Sequence, residues 1–235
     1  MSIHDLRDAL GQPGCPICRL KADAGDHFVE SLLWESVTDP ATRAKLRRSQ
    51  GFCQDHMWRM MRRGSSLGAA IITRDLLERA IKELVEGAFH PPRMVSLRRA
   101  VESLDRQRPT TATSVLVQHL EPQAGCPACE WSAKMEGLYL GDLLKHLLGE
   151  EGLLQSYRAS EGLCLPHFRQ ALTLVRSEPE FDALVGVQRA VWEGLVGDLS
   201  EFIRKSDHRF RHEAWGEERD AWIRAIGALA GTRPE

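Results

Sequence analysis

The sequence lacks any long apolar run: none of its stretches approaches the roughly 20 apolar residues that a membrane-spanning helix needs. The opening segment, with Asp5, Arg7 and Asp8, has no apolar core of a secretory leader either. A cytoplasmic, reducing setting is therefore expected, which argues against disulfides. Strand signals are almost absent, and so is an excess of one charge. Lys and Arg number 31 against 33 Asp and Glu, for a formal net charge of −2, split as +4 up to residue 111 and −6 after it. That balance does not favour nucleic-acid binding. No nucleophile stands at a recognisable spacing from a base. Cysteine is scarce as well, at six residues, but every one of them falls in a repeated motif.

Cys15-Pro16-Ile17-Cys18 and Cys53-Gln54-Asp55-His56 recur as Cys126-Pro127-Ala128-Cys129 and Cys164-Leu165-Pro166-His167. In both copies 34 residues separate the second position from the third, so all four positions recur at an offset of 111. Three thiolates and one imidazole are the right set for a tetrahedral Zn²⁺ shell. The pattern predicts two Cys3His zinc sites, one per repeat: Cys15, Cys18, Cys53 and His56 in the first, and Cys126, Cys129, Cys164 and His167 in the second. An iron–sulfur cluster is the lesser alternative. A thioredoxin-type reading of Cys-Pro-x-Cys expects a preceding strand and leaves half of the motif unused. Covalent haem attachment is excluded, because Arg19 and Glu130 follow the second cysteines where His would be required.

The neighbouring residues suit this chemistry. Gly14 and Gly125 allow a tight turn whose backbone N–H groups face the thiolates. Gly51 and Gly162 break the chain ahead of Cys53 and Cys164, which are expected near helix N-termini where the dipole favours a thiolate. His56 and His167 follow one helical turn later, and Pro166 is tolerated in a first turn.

The repeat extends beyond the ligands. Ile17, Leu20, Ala24, Phe28 and Leu32 share one helix face, and Ala128, Trp131, Met135, Tyr139 and Leu143 match them at the same offset. The expected fold is all-α, a duplicated multi-helix bundle. Helices are expected near 16–37, after Asp39-Pro40, near 53–63 and near 66–88, the last carrying Leu67, Ala70, Ile71, Leu77, Ile81 and Leu84. In the second half they are expected near 127–148, 150–159, 164–176 and 179–204. Repeat one spans 1–90, a connecting segment with a helix near 95–106 spans 91–111, repeat two spans 112–205, and a C-terminal helical or docking segment spans 206–235. One compact pseudo-symmetric unit is expected.

Two further features carry candidate sites. Arg43, Lys45, Arg47, Arg48, Arg59, Arg62 and Arg63 form a basic cluster between residues 43 and 63. It reads as a solvated helix face, with a phosphate-bearing or acidic partner as the sharper alternative. The segment from His208 to Trp222 is dense in aromatic and charged groups, and offers Arg209, Arg211, His212, Glu213 and Trp215 as candidate partner- or ligand-binding residues. Its simpler role is to dock Phe210, Trp215 and Trp222 against the helices.

The paired Cys-Pro-x-Cys and Gly-x-Cys-x-x-His elements, followed by Phe210-Arg211-His212-Glu213, Trp215-Gly216-Glu217-Glu218 and Asp220-Ala221-Trp222-Ile223-Arg224-Ala225, resemble a family of uncharacterised bacterial helical proteins across nearly the whole chain. The resemblance implies a bacterial cytoplasmic protein whose C-terminal segment belongs to the domain, and it supplies no reaction. The function read from the residues is a zinc-stabilised helical scaffold, binding a protein or small ligand in a groove between the repeats. The alternatives are a thiol-based redox or metal sensor, and an enzyme using the C-terminal His, Arg and Glu residues.

Overall fold

The computed structural model describes residues 3–86, 114–149, 152–210 and 212–232. The connecting segment, with its expected helix near 95–106, lies outside the described residues. Among the described residues the chain is helical with no strand. The first half contains α1 (Ile3–Leu10), α2 (Pro16–Glu35), α3 (Pro40–Arg48), α4 (Gln54–Trp58) and α5 (Ser66–Glu86). The second contains α6 (Ser114–His119), α7 (Pro127–Lys145), α8 (Leu154–Ala159), α9 (Leu165–Leu174) and α10 (Glu178–Lys205). Short 3₁₀ turns at His208–Phe210 and Glu217–Asp220 then lead to α11 (Ala221–Ala230).

Local chemistry explains several boundaries. Asp39 caps α3 by accepting from the Thr42 N–H at 2.8 Å, with Pro40 in the first turn. At the other end the Gly51 N–H reaches back to the Leu46 carbonyl at 2.7 Å, with Gly51 at φ 92°, and turns the chain towards Cys53. The ligand helix expected over 53–63 stops at Trp58, and Ser65 receives the next turns through its hydroxyl, which donates to the Met60 carbonyl at 2.7 Å.

The chain forms two compact units that do not follow the repeat boundaries. A terminal unit combines Met1–Ala24 with Ser132–Glu235, and a central unit is Gly25–Trp131. The divisions fall inside α2, after Ala24, and inside α7, after Trp131. The single apolar stripe of α2 accordingly serves two cores. Ile17 and Ala24 are buried in the terminal core, while Leu32 is buried and Phe28 packed in the central one. On α7, Ala128 belongs to the central core, and Tyr139 and Leu143 to the terminal core. Fully burying one such leucine contributes about 1.5–3 kcal/mol.

Several of the apolar residues that α5 carries lie away from the core. Leu67, Leu77, Ile81 and Leu84 are exposed, whereas Ile72 is buried at 3 % and Leu76 packs beside it. In a helix with apolar residues all round, periodicity does not single out the buried stripe.

Candidate metal centres

All eight ligand candidates stand at equivalent places on four helices. Cys15, Cys53, Cys126 and Cys164 each immediately precede a helix, and Cys18, His56, Cys129 and His167 each lie three residues on. These are the N-cap and N3 positions, which face each other in a capping box. Cys53 and Cys164 have extended backbones (ψ 169° and 158°) and make no side-chain cap hydrogen bond, so their sulfurs are left to face the histidine. Proline at the first position of α2 and α7 presets the turn. The C-x-x-C and C-x-x-H motifs are thus one local device, a helix start that presents two donors.

Each centre is formed by two helix starts, and here the structure corrects the expected pairing. Cys15 and Cys18 join Cys164 and His167; Cys53 and His56 join Cys126 and Cys129. Within each group the ligand atoms all lie within 4.8 Å of one another. The first group belongs to the terminal unit and the second to the central unit. Each centre therefore takes the Cys-Pro-x-Cys of one repeat and the Cys-x-x-His of the other, where one site per repeat had been expected. An offset of 111 relates the two motif copies, and it is satisfied equally by either pairing.

In the terminal centre the His167 Nδ1 lies 3.4 Å from the sulfurs of Cys15 and Cys18 and 3.0 Å from that of Cys164, while Cys18 and Cys164 are 3.7 Å apart. The other ring nitrogen, Nε2, is 2.9 Å from the Glu136 carboxylate, itself held by Lys21 at 2.6 Å. That arrangement fixes the ring with Nδ1 towards the sulfurs. The C-terminal segment closes the centre. The Thr232 N–H donates to the Cys18 sulfur at 3.4 Å, and a Cβ on Gly231 (φ 93°) would meet the same sulfur at 3.2 Å.

The approach to Cys164 is held by Gln188 of α10, which is fully buried. It accepts from the Leu163 N–H at 2.9 Å and from the Tyr157 hydroxyl at 2.5 Å, and donates to the Leu163 carbonyl at 3.1 Å. Gly162, at φ 72°, lies so close that a Cβ there would stand 2.8 Å from the Gln188 amide. The Gly14 N–H points to Glu161 at 2.9 Å and not to a thiolate, unlike the expectation for that turn.

In the central centre the His56 Nδ1 lies 3.1, 3.4 and 3.8 Å from the sulfurs of Cys53, Cys129 and Cys126, and Cys53 and Cys129 are 3.6 Å apart. It is the more open of the two. Cys129 is exposed and the other three ligands are half-buried, whereas Cys15, Cys164 and His167 of the terminal centre are buried.

Crowded thiols cannot all ionise without a cation. Hydrogen bonds with Cys15 and Cys164 hold the Cys18 thiol far below its ordinary range, while those with Cys15 and Cys18 push Cys164 far above it. Burial lowers His167, but its bonds to Cys15 and Cys18 outweigh this and raise it to about 10. In the central centre, burial and the neighbouring Cys53 push Cys129 up to about 12. Burial and the charge of Arg59 lower His56. A divalent cation removes the conflict by letting all three sulfurs ionise.

The other candidate residues are engaged elsewhere. Arg43 and Arg47 pair with Asp75, which they hold down at about 2, while Arg59 and Arg62 pair with Asp26. Four of the seven cations in the basic cluster are thus paired with carboxylates of the central unit. In the C-terminal segment Glu213 pairs with Arg204, Arg209 with Asp207, and Trp215 packs on Phe202 at 5.3 Å between ring centroids. Arg204 also stands 4.5 Å over the Phe210 ring. His212 is exposed, and Arg211 lies outside the described residues. Sequence reasoning missed Glu136, Gln188, Gly231 and Thr232. Comparing the repeats would have marked two of these as different, since Gly25 stands opposite Glu136 and Leu77 opposite Gln188 at the offset of 111.

The architecture defines an all-helical protein with two four-donor Cys/His clusters able to hold metal ions. Residues 4–235 match DUF6062, a family of unknown function, and the chain belongs to that family. It is 25% identical over 220 residues to an "Uncharacterized 23.9 kDa protein in xynA 3'region" from Caldicellulosiruptor sp. (strain Rt8B.4), covering 93% of this chain and 96% of that relative. No solved structure matches the chain. Among the described residues, no helix is long and apolar enough to cross a membrane.

Proposed function

We propose that each centre holds one zinc ion in a structural role, and that the protein is a zinc-stabilised helical scaffold. The observation that carries this reading is the complete set of four donors in each cluster, all within 4.8 Å of one another. A catalytic zinc ordinarily keeps a position open for water, and here protein atoms supply all four. Tetrahedral zinc, with bonds of about 2.3 Å to sulfur and about 2.0–2.1 Å to nitrogen, gives donor separations of roughly 3.5–3.8 Å. One sulfur pair in each centre, at 3.6 Å and 3.7 Å, suits one ion of that size. A cluster of several irons would hold its thiolates further apart. Three thiolates around Zn²⁺ leave a net charge of −1, which the positive ends of two helices favour. A reducing, cytoplasmic setting accords with the need for thiolates.

Structural zinc binding amounts to about 10–16 kcal/mol in small finger peptides, comparable to the whole stability of a domain. Purified protein should contain two zinc ions per chain and show no visible absorption band. Chelation should abolish its cooperative helical melt. An unchanged circular dichroism melt after zinc removal would contradict the structural role, and a brown sample would replace zinc by iron–sulfur.

The scaffold's binding role is supported by an apolar pocket of ≈ 830 Å³ in the central unit, lined in part by Met57, Trp58, Met60 and Met61 directly after the ligand His56. An apolar fluorescent dye provides the test. Trp58→Ala should abolish its binding with both zinc ions retained, and unchanged binding would remove the pocket from the proposal.

A further inference from the structure

Resting on the zinc reading above, we infer that the two centres are functionally unequal. The terminal centre is a closed structural site, and the central centre is a peroxide-reactive site that loses its ion when Cys129 and Cys53 are joined.

Three independent features separate them. The first is access: Cys129 is exposed, while Cys15 and Cys164 are buried at 5 % and 1 %. Oxidation of a thiolate follows its exposure. The second is the outer layer. His167 is fixed by Glu136, and Cys18 receives the Thr232 N–H beneath the chain at Gly231. Gly25 occupies the position equivalent to Glu136, and among the described residues none hydrogen-bonds the His56 Nε2. The third is the supporting helix: His56 belongs to the five-residue α4, whereas His167 belongs to the ten-residue α9, whose entry Gln188 clamps.

The chemistry requires only hydrogen peroxide. The Cys129 thiolate attacks one peroxide oxygen, the O–O bond breaks, and hydroxide leaves to become water as Cys129 becomes a sulfenic acid. The Cys53 thiolate, with its sulfur 3.6 Å away, attacks the Cys129 sulfur. The S–S bond then forms, the S–O bond breaks, and a second hydroxide leaves as water. Two thiolates, one peroxide and two protons give one disulfide and two waters, with two electrons passing from sulfur to peroxide. Cys126 and His56 are then the only ligands left at that centre, and two donors do not retain the ion.

The test uses the full chain, with its zinc content measured first. One equivalent of peroxide should release one zinc per chain to a chromogenic chelator, and a dithiol reductant with added zinc should reverse the release. Peptide mapping should find Cys53 linked to Cys129, with Cys15, Cys18 and Cys164 still alkylatable. Cys129→Ser should lose the rapid phase and keep the terminal ion. Deleting the residues after Ala230 should make the terminal centre react at least about tenfold faster, the scale of outer-layer effects on metal sites. Equal rates at the two centres, release from the terminal centre first, no release, or a disulfide between other cysteines would each overturn the inference. Protein that binds no zinc at the outset would instead overturn the structural reading on which it rests.

Discussion

Glu136 shows how much one residue outside the ligand set can decide. Its carboxylate receives His167 through Nε2, leaving Nδ1 for the sulfurs, and Lys21 keeps that carboxylate in place. Outer partners of metal-bound histidines typically matter by about 10–100-fold in affinity. Glu136→Ala should weaken zinc at the terminal centre by about that factor and leave the central centre unchanged. Competition with a chelator in Cys129→Ser protein, which reports the terminal ion, checks this; an unchanged affinity there would contradict it. The eight donors that gather into two clusters were legible from spacing alone, because motifs of two donors three residues apart suit a helix start. Glu136 was not, since a glutamate on an amphipathic helix carries no mark of what it faces.

At the scale of elements, the repeated unit is a helix beginning with two donors, and its precision depends on what holds the entry loop. For α9 this is Gln188, whose amide satisfies both the N–H and carbonyl of Leu163 and accepts from Tyr157. Truncation would strand these buried polar groups, at a cost of about 1–3 kcal/mol each where water cannot replace the partner. Gln188→Ala should destabilise the terminal unit by about 2–4 kcal/mol in denaturant melts. A loss below about 0.5 kcal/mol would mean that the clamp is dispensable. Most elements could be read from sequence: α2, α3, α7 and α10 begin with proline in the first turn, and α2, α7 and α10 end near their expected limits. The buried side of α5 could not, because Leu67, Leu77, Ile81 and Leu84 lie on its exposed surface while Ile72 faces the core. Such apolar surface takes its meaning from what packs on it, and periodicity does not report that.

On the scale of the whole molecule, each compact unit draws its Cys/His cluster from one copy of each motif. The terminal unit takes α1 and the first knuckle from repeat one, and the central unit takes α6 and the second knuckle from repeat two. Sequence periodicity cannot reveal such a pairing, because the same equivalent faces and ligands are used whichever copy supplies them. Linkage to protons follows from the ligand chemistry. Cys164 and Cys129 are pushed above the ordinary thiol range and His167 up to about 10, so the metal-free centres hold protons that an ion must displace. Zinc affinity should therefore rise with pH and fall on acidification, with helical stability falling alongside it. Isothermal titrations in buffers of different ionisation enthalpy should show proton release on binding, and none would contradict the thiol assignment. The central claim is the crossed ligation itself. Anomalous diffraction at the zinc edge tests it most directly: two peaks are expected, one among Cys15, Cys18, Cys164 and His167 and the other among Cys53, His56, Cys126 and Cys129. A peak bound by Cys15, Cys18, Cys53 and His56, or no peak at either place, would contradict it.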